Sequence, residues 1–295
     1  MNPATLITTC TLRLECQVNN KTSIGTAFLY NFAIEVEIDG QKQFVGVPML
    51  VTNNHVVSEA ETLNTLITLC SEAQELTDAV ISEDDVHQHF VISNLKSKVI
   101  PHPDPNVDVC IIPIADITNQ LPSGKKMRHS FISAGFHLPQ EEESFTRPIE
   151  PILMIGYPNG LWDEQNNRPI TRQGLTASHP LQLWNKKRQF VIDAACFGGS
   201  SGSPVFLFED GMYRSGQNSY GPGTRVRFLG ILFAGPQVSQ SGRFEQKEIP
   251  TSADIVPVID GMMNLGFVAH ANVLLDYIPI LEPIVRNEVL KRSAN

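Results

Sequence analysis

Between Gly198 and Phe206 the chain reads GGSSGSPVF, with serines interleaved among glycines and Pro204 closing the run. A nucleophilic serine needs an exposed hydroxyl on a tight turn, with backbone N–H groups aimed at the oxyanion it creates. Flanking glycines permit such a turn, because they accept positive φ and let a substrate carbonyl come close. Ser201 has Gly199 two residues before it and Gly202 directly after it, whereas Ser200 lacks the second glycine. Ser201 is therefore the candidate nucleophile. It needs a base to take its proton and a group to orient that base. LVTNNH ends an apolar run on His55, and DVCIIPI opens another on Asp108.

The other histidines and carboxylates compete less well. Asp104 lies among prolines and Asp85 in an acidic stretch, while Asp108 leads straight into an apolar strand. His102, His129, His137, His179 and His270 are scattered, and His87 and His89 form an H-x-H pair. No Cys/His/carboxylate spacing typical of a metal site accompanies that pair, so neither a metal nor an organic cofactor is expected. Phe206 and Phe208 read as core. The Lys186–Arg188 and Glu141–Glu143 runs read as solvated turns.

The elements that must hold these residues look like strands. Leu12, Leu14, Cys16 and Val18 alternate with Thr11, Arg13, Glu15 and Gln17, which predicts a half-buried strand over 11–18. Ile34, Val36 and Ile38 alternate again before an Asp39-Gly40 turn signal. Further strand-like runs cover 45–52, 64–70, 89–93, 109–114, 152–156, 170–178, 189–195, 204–208 and 226–234. Short strands at this spacing, with Gly, Pro and Asn between them, favour a barrel or sandwich. Residues 71–88 read as a surface loop or short helix, and 210–224 as a mobile loop. Over 274–291 the spacing is helical, but Pro279 and Pro283 interrupt it, which predicts two short helices or a kink.

A formal net charge of −9 argues against a nucleic-acid or anionic-membrane partner. No apolar run approaches the roughly 18 residues of a membrane span, and the N-terminus lacks a basic leader, so Met1 reads as the mature start. Five cysteines, an odd number without a Cys-x-x-Cys, suit buried free thiols in a reducing cytoplasm.

The order His55, Asp108, Ser201, joined to GTAF at Gly25–Phe28, VTNNHV, DVCIIPI and GILFAG at Gly230–Gly235, resembles the trypsin-like, chymotrypsin-fold serine peptidases. The resemblance implies an all-β protein of two six-stranded antiparallel barrels and a C-terminal helical segment. Residues 1–130 would carry His and Asp, 131–150 would link, 151–270 would carry Ser, and 271–295 would form the helical end. It implies an endopeptidase in which His55 is the base, Asp108 orients it, and the N–H groups of Gly199 and Ser201 form the oxyanion hole. Val56 stands where secreted animal members have cysteine, so the chain looks closer to intracellular bacterial enzymes. Ala195 falls at the base of the primary pocket, with Phe233, Ala234 and Gly235 on its wall, which implies a preference for small-to-medium apolar residues. Asp193-Ala-Ala195 also resembles the HtrA-type peptidases, and a register two residues off would put Asp193 at the base instead. Protein or peptide substrates are the implied partners, with room for a regulatory protein. The alternative is a catalytically silent peptidase fold serving as a scaffold.

Overall fold

Alternating side chains dictate the first half of the chain. In the computed structural model, which describes residues 2–18, 21–38, 40–74, 85–241 and 258–293, β1 (Thr11–Val18) buries Leu12, Leu14 and Cys16 and leaves Glu15 and Gln17 outside. It pairs antiparallel with the long β2 (Lys21–Ile38), which turns back into β3 (Gln41–Thr52) with Ile38 opposite Gln41. Asp39 of the expected turn lies outside the described residues, while Gly40 takes φ +74°. β4 (Thr62–Ser71) and β5 (Val86–Ile92) extend the sheet beyond β1, and β6 (Ile100–Pro101) and β7 (Cys110–Pro113) extend it beyond β3. Two short strands join the side of this array: β8 (Lys125–Met127) on β4, and β9 (Ile132–Ser133) parallel to β2.

Where a six-stranded barrel was expected, these strands make a nine-stranded sheet, seven of them in the order β5-β4-β1-β2-β3-β7-β6 with β8 and β9 off that path. Among the described residues its two ends do not pair with each other. The extra strands arise because β2 and β4 are long enough to accept β9 and β8 besides their main partners. Residues 75–84, expected as loop or short helix, fall outside the described residues, while 86–88 already belong to β5.

The second half closes. β10 (Pro151–Gly156), β11 (Ile170–Thr176), β12 (Gln189–Asp193) and β13 (Pro204–Glu209) appear where the apolar runs predicted them. The segment expected as a mobile loop instead folds a small hairpin, β14 (Met212–Arg214) with β15 (Tyr220–Pro222). Arg214 stabilises it by donating to Tyr220 Oη at 2.6 Å and to the Gln217 carbonyl at 3.1 Å. Next come β16 (Arg225–Ala234), β17 (Gln237–Ser241), β18 (Val258–Met262) and β19 (Leu265–His270). The ring β10-β11-β12-β19-β16-β13 is a closed six-stranded barrel.

One apolar cluster fills the sheet around Leu14, Leu50, Ile67 and Ile112, and another fills the barrel around Met154, Phe190, Val205 and Val268. A third joins the two halves, with Phe28 of β2 against Phe228 of β16 at 5.4 Å between ring centroids. Such an aromatic pair adds about 0.5–1.5 kcal/mol beyond its buried area. The C-terminal helix, Ile278–Ser293, seats Leu281 and Val285 in the same cluster. It runs unbroken where two short helices or a kink were expected. Pro279 falls in its first turn, where the missing N–H has no intrahelical partner to lose, and Pro283 is tolerated inside it. The change of geometry comes earlier, where the 3-10 turn Ala271–Tyr277 meets the helix.

Candidate active site

β3 ends at Thr52, opposite Cys110 of β7, and the chain then turns into a single helical turn, Asn54–Val57. This register brings Asp108, just before β7, against the start of that turn. The buried Asn53 fixes the junction by donating from Nδ2 to the Asp108 carbonyl at 2.7 Å. The Asp108 carboxylate then grips His55 twice. Oδ1 accepts the His55 main-chain N–H at 3.0 Å, and Oδ2 meets the ring Nδ1. Nδ1 thus has a carboxylate partner, and Nε2 is left as the other ring nitrogen. The His55 side chain is 49% exposed, so the ring lies open to an incoming group.

The rival carboxylates are engaged elsewhere. Asp104 accepts the N–H and side-chain amide of Asn106, which hold its carboxyl below the usual range. Asp85 pairs with Arg128 at 3.1 Å. His87 meets Thr68 Oγ1 and the Gln165 carbonyl, and His89 meets Asn64 Oδ1.

The glycine-rich segment forms the tight turn before β13. Gly199 has φ +80°, and a Cβ there would come within 2.6 Å of the Tyr157 carbonyl oxygen. Gly202 has φ +87°, and a Cβ there would lie 1.9 Å from the Thr26 carbonyl oxygen. Both positions therefore exclude any side chain. Ser200 and Ser203 are wholly buried, and of the three serines only Ser201 keeps accessible surface. The turn docks on β2: Thr26 donates its N–H to the Ser201 carbonyl at 2.9 Å and its hydroxyl to the Gly199 carbonyl at 2.9 Å. Thr52, three residues before His55, donates in turn to the Thr26 carbonyl at 2.7 Å. Through Thr26, then, the serine turn and the histidine turn are tied to the same stretch of strand.

Within the turn, Ser200 N–H donates to the Phe197 carbonyl and Ser203 N–H to the Ser200 carbonyl, at 3.1 and 3.0 Å. Gly202 N–H is spent on the Leu232 carbonyl at 2.8 Å. Among the described residues, the N–H groups of Gly199 and Ser201 donate to nothing. Two unspent donors, either side of Ser200 and beside an accessible hydroxyl, can receive an oxyanion. On the buried side of the turn, Arg172 of β11 donates from Nη2 to Ser200 Oγ at 2.6 Å. Nothing in the sequence around Arg172 singled it out, and Thr26 and Asn53, though they lie in the GTAF and VTNNHV segments, were given no role of their own.

The residues assigned to the primary pocket lie between β12 and the serine turn and at the end of β16. Ala195 is half-buried and Asp193 is exposed at the end of β12. Phe233 packs on Phe267, with ring centroids 6.4 Å apart, at a register shift between β16 and β19. Ala234 is exposed, and Gly235 lies close to the Leu265 carbonyl and to Cys196. Burial pushes the Cys196 thiol up to about 11, so it stays protonated and inert. All five cysteines are buried and unpaired. Two open depressions flank the serine turn and His55: one of about 480 Å³ beside Phe197, Asn159 and Trp162, and one of about 650 Å³ beside His55, Lys21, Ser23 and Glu59.

The family model described as a trypsin-like peptidase domain matches residues 25–212, a span that takes in His55, Asp108 and Ser201. No curated protein matches the chain. Among solved structures it is similar to the serine endoprotease from Yersinia pestis, at 12% identity and a TM-score of 0.45. That match covers 94% of this chain and 64% of the Yersinia chain, so this chain spans less than two thirds of that protein's length. It is also similar to a product-bound tobacco etch virus protease, at 12% identity and a TM-score of 0.43, covering 80% of this chain and 72% of that one. A third is the thermostable serine protease AL20 from an extremophilic microorganism, at 12% identity and a TM-score of 0.41, covering 92% and 97%. With its family model spanning more than half its length, the chain belongs to the trypsin-like peptidase domain family.

Proposed function

We propose that the protein hydrolyses peptide bonds by acyl transfer through Ser201, His55 and Asp108. The observation that carries this reading is the double grip of one carboxylate, Asp108, on the ring and main chain of His55. With Nδ1–H held by Asp108, Nε2 is the free base. It accepts the Ser201 hydroxyl proton as Oγ bonds to the scissile carbonyl carbon, and the oxyanion enters the unspent N–H groups of Gly199 and Ser201. One such donor contributes roughly 3–4 kcal/mol of transition-state stabilisation. The imidazolium, stabilised by Asp108, then gives its proton to the leaving amine, and the C–N bond breaks to leave an acyl ester on Ser201. Water attacks that ester with His55 again as base, and the serine is restored.

On this reading the nine-stranded sheet is the counterpart of the family's first barrel, and residues 131–150 are the bridge to the second. Ala195 forms the floor of the pocket before the scissile bond, with Phe233, Ala234 and Gly235 as its wall, so small-to-medium apolar residues fit there. Proteins or peptides are the substrates. Five buried thiols suit a reducing cytoplasm.

The test is a stopped-flow assay with a chromogenic ester, with the acyl group located by peptide mapping after acid quench. A burst matched to the enzyme concentration, with the acyl group on Ser201, supports the proposal. A linear trace with product forming and no acyl-enzyme would overturn it.

A further inference from the structure

Arg172 is a poor fit to a purely structural role. Its position on β11, opposite Met154 of β10, carries its guanidinium to the buried side of the serine turn. There Nη2 donates to Ser200 Oγ at 2.6 Å, while Nε and Nη1 are buried with no partner at all. The group lies 5.8 Å from the centroid of the Phe197 ring. Among the described residues no carboxylate pairs with it, and burial lowers its affinity for its proton. A buried guanidinium without a counter-ion is costly, and a methionine of similar length would avoid that cost.

Its one hydrogen bond falls on the residue between the two oxyanion donors. Ser200 lies between Gly199 and Ser201, whose N–H groups are the unspent pair. Its own N–H and carbonyl are held inside the turn by Phe197 and Ser203. Fixing the Ser200 side chain from beneath therefore fixes the orientation of the peptide planes on both sides of it.

We propose that Arg172 is a positioning residue for the oxyanion turn, acting through Ser200 Oγ, and that it is an internal cation site left open to one carboxylate at position 200. This rests on the acyl-transfer reading above and names what orders its oxyanion donors. Arg172 touches neither substrate nor reacting atoms.

The experiment compares kcat, KM, affinity for a peptide boronate and affinity for the matching product peptide across a set of variants. The set is Arg172→Met, Arg172→Lys, Ser200→Ala, Ser200→Asp and Arg172→Met combined with each Ser200 change. Arg172→Met lowers kcat and boronate affinity 10- to 100-fold in parallel, with KM and product affinity within threefold of the parent. Arg172→Lys, which keeps the charge and one donor, recovers part of the loss and stands in if the methionine variant does not fold. Adding Ser200→Ala to Arg172→Met brings no further loss, because both act on one bond. Ser200→Asp lowers kcat at least tenfold less when Arg172 is present than when it is absent.

A folded Arg172→Met variant with kcat within twofold of the parent overturns the proposal. So does an aspartate at position 200 that is equally harmful with and without Arg172. A serine-directed fluorophosphonate applied to the parent separates the two levels. Parent labelled at Ser201 with no coupling between positions 172 and 200 refutes only this inference, whereas a parent that does not label refutes the acyl-transfer reading and this inference with it.

Discussion

The main-chain N–H of His55 and its ring Nδ1 meet the two oxygens of one carboxylate, that of Asp108, with the main-chain contact at 3.0 Å. The ring is thus oriented by a group that is itself anchored through Asn53 to the strand end. Asp108→Asn keeps the size and offers the ring an amide, which can stabilise the wrong tautomer. The expected result is a fall in kcat of about ten-thousandfold near neutral pH, with the melting temperature little changed. Steady-state kinetics on a peptide substrate check it, and a loss below tenfold would mean that another group orients His55.

Specificity follows from the floor of the pocket. With Ala195 as the proposed floor and Asp193 exposed at the end of β12, a peptide library should be cut after small-to-medium apolar residues such as Ala, Val or Leu. Ala195→Asp should move the preference toward Arg and Lys, since a cation would then find a carboxylate. A parent profile already dominated by Arg or Lys would place Asp193, not Ala195, at the pocket base.

The two halves of the fold were unequally legible in the chain. Strict alternation in β1 and the apolar runs of β10 to β13 announced their strands, because a sheet with one buried face imposes a period of two. The sheet's extra strands β8 and β9 gave no such signal. They are two or three residues long and are set by what they lie against, β4 and β2. The candidate site was legible where chemistry restricts residue type: Gly199 and Gly202 carry positive φ against neighbouring carbonyls, and Asp108 opens an apolar strand. Arg172 was not legible, since a lone arginine on a strand is most often a solvated one, and only the fold turns its guanidinium inward. The prolines misled for a related reason, as a helix tolerates Pro279 in its first turn at no cost in hydrogen bonds.

Acid should destabilise the protein through His129. Its ring is buried, with Nδ1 bonded to the Thr9 carbonyl at 3.0 Å and Nε2 facing the Thr68 N–H at 3.3 Å, a pattern that suits only the neutral form. Burial, aided by nearby Arg168 and His87, lowers its pKa to about 4. The unfolded chain binds a proton near pH 6.5 and the folded chain only near 4. This contribution is therefore complete above about 6.5 and is lost as pH falls from there to 4, by about 3 kcal/mol in all. Denaturant unfolding at pH 7 and pH 4 measures it, and His129→Gln should show a drop smaller by that amount. Equal drops in parent and variant would show that His129 does not titrate this way.

No N-terminal cleavage should be needed for activity. In secreted relatives a new α-ammonium pairs with an aspartate before the nucleophile, but here that residue is Ser200 and its hydroxyl already accepts from Arg172. An ammonium inserted there would meet an uncompensated guanidinium and no anion. A fusion carrying an uncleavable folded domain before Met1 should turn over peptide at the same kcat as the free chain. Activity appearing only after a protease exposes a new N-terminus would reverse this conclusion.

The central claim is that Ser201, and neither of its serine neighbours, is the nucleophile. Its most direct test is fluorophosphonate labelling of the parent, Ser201→Ala and Ser203→Ala proteins, with the modified residue identified by mass spectrometry. The account predicts stoichiometric adduct on Ser201 in the parent and in Ser203→Ala, and none in Ser201→Ala, whose peptidase turnover should fall about a millionfold. An adduct on Ser200 or Ser203, or full labelling of Ser201→Ala, would contradict it.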